Sequence, residues 1–119
     1  MKRSFYAANA FPLLLWAVSR LWGQTDQDIQ ILQRKAQEAL ERKEYVLAAE
    51  AWREIVERNP GLAEARSNLG MMYHLQNLFD KSIPEFQTAL KLNPDLTSAR
   101  LFLAKIGRAS CRERVYVLV

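Results

Sequence analysis

Apolar residues recur every three or four positions through most of this chain. One stripe runs Ile29, Leu32, Ala36, Ala39, Leu40, and a second runs Val46, Ala49, Trp52, Ile55, Val56. That spacing places each set on one face of a helix. The pattern predicts helices at 26–42, 45–58, 62–76, 79–92 and 96–105, and no segment reads as a strand before residue 114. Asn59-Pro60 and Asn93-Pro94 punctuate it. A residue before proline is pushed out of the α region, while proline suits a helix's first turn, so each pair is read as ending one helix and starting the next. Pro84 conflicts with the fourth helix, because an interior proline costs about 3 kcal/mol. Since Phe86, Ala89 and Leu90 still share a face, the reading expects a late start near Asp80 or Ser82, or a mild kink.

The two Asn-Pro pairs stand 34 residues apart, and the residues before them match in type. Aligned on the prolines, one unit runs from about 29 to 62 and the next from about 63 to 96. Small residues at Ala36, Ala48, Gly70 and Ser82 let two helices approach, and Trp52, Tyr73 and Phe86 are expected to fill the space beside them. In the second unit Leu69-Gly70-x-x-Tyr73 precedes Ser82-x-x-x-Phe86, Ala89 and Pro94. In the first, Ala36, Ala48-x-x-x-Trp52, Ile55 and Pro60 take those places. This resembles the tetratricopeptide repeat, with its W-x2-L-G-x2-Y…A-x3-F…P pattern over about 34 residues. Departures are Leu32 and Arg66 in place of Trp, Lys35 and Ala39 in place of Leu and Tyr, and Ser82 in place of Ala. The resemblance covers roughly residues 26–105, and residues 97–105 start a third unit with Leu101, Leu103 and Ala104.

The resemblance implies an all-α fold of helix-turn-helix repeats stacked as a short right-handed superhelical α-solenoid. The first helix of each unit then lines a concave, partner-binding face. Unit one places Gln30, Gln33, Gln37 and Glu41 there, and unit two places Glu64, Ser67, Asn68, Met71, His74 and Leu75. Amides, a methionine and a histidine suit an extended peptide or a partner helix. The same positions read equally well as ordinary solvent-exposed residues. Chaperone-binding members of the family clamp a terminal carboxylate with Lys, Asn and Arg. The matching places here carry Gln33, Gln37, Asn68, Ser98 and Phe102, of which only Asn68 fits.

Residues 1–23 read as a secretory signal peptide. Lys2 and Arg3 start it, Leu13-Leu14-Leu15-Trp16 centre its apolar stretch, and cleavage is expected after Ser19 or Gly23. The stretch is short for a membrane-spanning helix and Arg20 interrupts it. An uncleaved anchor is the alternative, and a membrane is a partner only in that case. At the other end, residues 106–115 resemble one translated frame of a common sequencing-library adapter. The 106–119 tail is therefore read as artefactual, and the natural protein is expected to continue past about Lys105.

The formal charge of +4 divides unevenly. Residues 1–23 carry +3 and 106–119 carry +2, while 24–105 carry −1, from 11 Lys/Arg against 12 Asp/Glu. A nearly neutral, mixed-sign repeat region is no phosphate-binding stripe, so nucleic acid is not an expected partner. The single cysteine, Cys111, lies in the tail. His74 is the only histidine, with no cysteine or acidic cluster to share a metal, and the four glycines form no phosphate loop. Glu50, Glu54 and Glu57 have Arg53 and Arg58 as sequence neighbours and read as a solvated face. No enzyme, cofactor or metal site is expected. The favoured reading is an exported bacterial interaction scaffold of the periplasm or cell envelope. The alternatives are the N-terminal docking arm of a larger envelope enzyme (a peptidase or glycosyltransferase) and a membrane-tethered assembly factor.

Overall fold

A computed structural model describes residues 25–117, with side chains to residue 108. The expectations for residues 1–23 lie outside the described residues. Five helices appear among these residues, and no strand. They are α1 (25–41), α2 (Tyr45–Arg58), α3 (Ala63–Leu75), α4 (Phe79–Leu92) and α5 (Thr97–Val117). The chain divides into two compact units, residues 1–31 and 32–119. In the first, the described residues are helical, with Ile29 half-buried and Ile31 exposed. In the second, α2 packs on α3, α3 on α4, and α4 on α5, with a lighter contact between α3 and α5. The fold is an all-α helical-repeat solenoid.

The 34-residue period holds at the level of single backbone bonds. Lys43 and Asn77 both turn with φ 61°. The amide of Lys43 donates to Leu40 and that of Glu44 to Ala39, at 2.9 and 2.8 Å. One period later Asn77 donates to His74 and Leu78 to Tyr73, at 3.0 and 2.9 Å. Each pair is a Schellman motif, which satisfies the last carbonyls of the first helix. A turn this short between packed helices makes them antiparallel neighbours.

The Asn-Pro loops repeat in the same way. Asn59 and Asn93 take φ −136° and −139°, the extended conformation that a following proline demands. Leu62 donates to Asn59 at 3.2 Å and Leu96 to Asn93 at 3.3 Å. Here the structure corrects the expectation that proline opens the next helix. Pro60 and Pro94 sit at the second position of a closed turn, which their fixed φ suits, and α3 and α5 begin three residues later. The Arg66 guanidinium then donates to the carbonyl of Pro60 at 3.2 Å, and Arg100 donates to Pro94 at 2.5 Å. The residue that departs from the family's Trp thus ties the helix to its own entry loop. Arg66 also pairs with Glu85 of α4 at 3.3 Å.

Small residues sit where helices meet. Ala36, Ala48 and Ser82 are fully buried. Gly70 brings α3 against Phe86 of α4 so closely that a Cβ would lie 3.0–3.2 Å from three ring carbons. Phe86 is itself fully buried and stacks on Phe102 of α5, with centroids 5.2 Å apart and planes within 4°. Ala89, Ala99 and Ile106 complete that core cluster.

Four expectations are corrected. Trp52 and Tyr73 are half-buried, whereas Phe86 is covered from both sides, by Gly70 and by Phe102. Val46 is 58% exposed, because it lies in the first turn of α2 beside the buried stripe of Ala48, Ala49, Ile55 and Val56. Helix α4 runs Phe79–Leu92, the expected span, with Pro84 inside it, so the late start near Asp80 or Ser82 is not what happens. Pro84 and Asp80 are both exposed, so the break in the helical hydrogen-bond ladder lies on the solvent side of α4, where it costs less than in the core. Helix α5 runs on to Val117, well past the expected end near 105.

The stripe by which one unit packs on the previous one also recurs. Ala65, Leu69 and Met72 of α3 are buried, and Ala99 and Ile106 of α5 are buried, with Leu103 half-buried between them. In α1 the positions matching Leu69 and Met72 are Lys35 and Glu38, both exposed.

Candidate partner-binding face

The ten residues proposed for the groove fall in several environments. Gln30 is exposed in the first unit. Within the compact unit of residues 32–119, Gln33, Gln37 and Glu41 are exposed along α1, one turn apart, and Glu64 is exposed in the first turn of α3. Asn68, Met71 and His74 are half-buried on α3, and Leu75 is 39% exposed at its end. Ser67 is buried, its hydroxyl 3.3 Å from that of Ser98 on α5. It is therefore turned toward the neighbouring helix. Met71 packs on the Phe86 cluster.

His74 is wedged between two rings. Phe79 of α4 and Phe102 of α5 meet it edge-on, with centroids at 5.4 and 5.3 Å. Its Nδ1 is buried and has no hydrogen-bond partner. Burial lowers its pKa below the usual 6.5, and the positive charge of Lys105 adds to the effect. The neutral imidazole therefore dominates at neutral pH and acts as a packing group with one unspent polar atom.

Sequence reasoning missed Phe102 and Phe79 as neighbours of His74. Phe79 is 39% exposed. Phe102 lies one period after Asn68, so the 34-residue period was the signal that could have found it. The surface around His74 is aromatic and aliphatic, while α1 offers amides.

Two clefts lie elsewhere. One of about 370 Å³ lies along α1 and α2, with Leu32, Ala39 and Leu47 among its apolar lining and Lys35, Glu38 and Glu54 among its charges. A second, of about 240 Å³, sits at the α3–α4 turn over Leu78 and Phe79. Neither touches the ten residues. No group of three His, Cys, Asp or Glu that could hold a metal ion occurs among the described residues. Nor is any helix among them long and apolar enough to cross a membrane.

Residues 63–96 match the tetratricopeptide repeat family. The match begins at the first residue of α3 and ends in the loop after α4, covering one full helix pair. Such a repeat points to a protein–protein interaction scaffold and is generally a non-catalytic module. No curated protein matches the chain.

Proposed function

We propose, from the premise that residues 63–96 form a tetratricopeptide repeat, that this protein is an exported scaffold. It holds a peptide or helix of another protein along the first helices of its units. One observation carries the reading: the turns and loops of the helix pair recur after 34 residues, and α1 presents Gln33, Gln37 and Glu41 as a row of exposed side chains. Gln33, Gln37 and Glu41 supply amide and carboxylate contacts to an extended backbone. Asn68, Met71 and Leu75 supply one amide and two apolar contacts. Residues 1–23 support export, through their basic start and apolar centre.

The test is affinity capture from cell-envelope extract with the locus-derived protein, followed by titration of the captured partner against Gln37→Ala and Asn68→Ala. Each substitution is expected to weaken binding several-fold without moving the melting temperature. A partner whose affinity ignores both substitutions binds elsewhere and refutes the groove. A secreted chain begins at Arg20 or Gln24 in intact-mass measurement, and a chain that keeps residues 5–22 is tethered instead. A second reading makes these repeats the docking arm of a larger envelope enzyme. A catalytic domain encoded after Lys105 would establish it.

A further inference from the structure

We infer that the cleft between α1 and α2 is a docking site for an amphipathic helix of another protein, one that carries Lys or Arg along the edge of its apolar stripe. The cleft shares no residue with the groove proposed above, and the inference is independent of it.

The cleft has the form a helix needs. Leu32 and Ala39 of α1, each 7% exposed, form its floor with the half-buried Ala51 of α2. Leu47 also lines it and stands 53% exposed, an apolar side chain that the fold leaves uncovered. The cleft holds about 370 Å³. On α1 its lining runs from Leu32 to Arg42, a length of about 15 Å at about 1.5 Å per residue, or three helical turns. A furrow between two packed helices accepts the side-chain ridge of a third. An extended peptide is a poorer occupant, because both walls are helices whose backbone groups are already bonded, and it would find few partners for its own.

The charges select among helices. Glu44, Glu50 and Glu54 line the α2 side, and Lys35, Glu38 and Arg42 the α1 side. Four carboxylates against two cations leave the lining net acidic. Glu54 is already shared with Arg58 at 2.7 Å, so Glu44 and Glu50 are the carboxylates on α2 that invite a cation from outside. A purely apolar stripe would strip these groups of water without return. A helix with Lys or Arg at its edge pairs them at the solvent rim while its stripe covers Leu47 and Ala51. The apolar contact then holds the helix, and the rim pairs supply selectivity.

Two fluorescently labelled peptides of about 14 residues test this, long enough to span the cleft at about 1.5 Å per residue. Both carry leucines at helical spacing. One has Lys along the edge of that stripe and the other has Glu. Binding to the 119-residue chain is followed by anisotropy. The Lys-edged peptide should bind about tenfold tighter, the effect of a few exposed ion pairs together. That preference should shrink between about 50 and 300 mM salt. Glu50→Lys should cancel it, and Leu47→Ser should weaken both peptides by about fivefold or more. Both residues are exposed, so neither change should unfold the chain. Gln37→Ala and Asn68→Ala should leave both affinities unmoved, which separates this site from the groove. The proposal is overturned if the two peptides bind alike, if the preference survives Glu50→Lys, or if neither binds below about 1 mM. It is also overturned if the chain dimerises in sedimentation and Leu47→Ser abolishes the dimer, because the cleft then belongs to a second copy.

Discussion

Gly70→Ala isolates the closest approach in the core. A methyl there would sit 3.0, 3.1 and 3.2 Å from Cε1, Cδ1 and Cζ of Phe86. Comfortable carbon–carbon contact is about 3.5–4.0 Å, so the ring must retreat by about half an ångström. It has nowhere to go. Phe86 is fully buried, and Phe102 lies flat against it. Overpacking of this kind costs about 1–3 kcal/mol. Replacing a helical glycine by alanine recovers about 1 kcal/mol of backbone entropy. The net expectation is a loss of about 1 kcal/mol, or about 4–8 °C in Tm for a domain of this size. Urea unfolding followed by circular dichroism reads it. The control is Phe86→Leu, which removes the ring; in that background the same Gly70→Ala change should stabilise by about 1 kcal/mol. If Gly70→Ala stabilises the parent chain and the Phe86→Leu chain equally, the glycine is not there for Phe86 and the packing argument fails.

Lys43→Gly should stabilise by about 0.5–1 kcal/mol, since a non-glycine residue at φ 61° costs about 1–2 kcal/mol and glycine's greater unfolded freedom returns part of it. An unchanged urea midpoint would contradict this. Phe86→Ala should cost about 3–5 kcal/mol, and Trp52→Ala clearly less because Trp52 is half-buried. Thermal melts that rank the two the other way would refute the assignment of the core. Stability should also fall as pH drops through 6.5. Below that value the unfolded chain protonates its histidine, while His74 in the folded chain, with its lowered pKa, resists protonation. His74→Phe should flatten the curve between pH 7 and 5.5, and an unflattened curve would show that another group is responsible.

The helix count and most helix boundaries could be read before any coordinates because the apolar stripes and both Asn-Pro pairs obey one period. Small residues such as Ala36 and Ser82 were equally legible, since close helix approach admits little else. The half-burial of Trp52 was not. A residue's type tells what it tends to do, whereas its exposure depends on which neighbouring helix covers its far side. Phe86 is closed over by Phe102, a residue 16 positions away on the next unit's helix. The turn at Pro60 escaped notice because proline suits both a helix's first turn and the second position of a β-turn; only the Leu62–Asn59 bond decides between them. On the candidate face, the exposed amides of α1 followed from helical spacing. The burial of Ser67 and the ring contacts of His74 did not, as both depend on where α5 docks.

The charges at Lys35 and Glu38 bear on how the protein behaves at high concentration. A stack whose two end faces are complementary is a monomer unit for an open fibre, because a heterologous contact that does not close propagates without limit. Ordinary interior units have such faces by construction. Here the turn of α1 that would accept a neighbour's helix carries an ammonium and a carboxylate, and a neighbour's apolar stripe would have to strip both of water. Replacing the pair by Leu and Met, the residues one period later, would leave each subunit with a sticky head for the next one's tail. The solution would then be expected to thicken into filaments, a colloidal property controlled by two surface side chains.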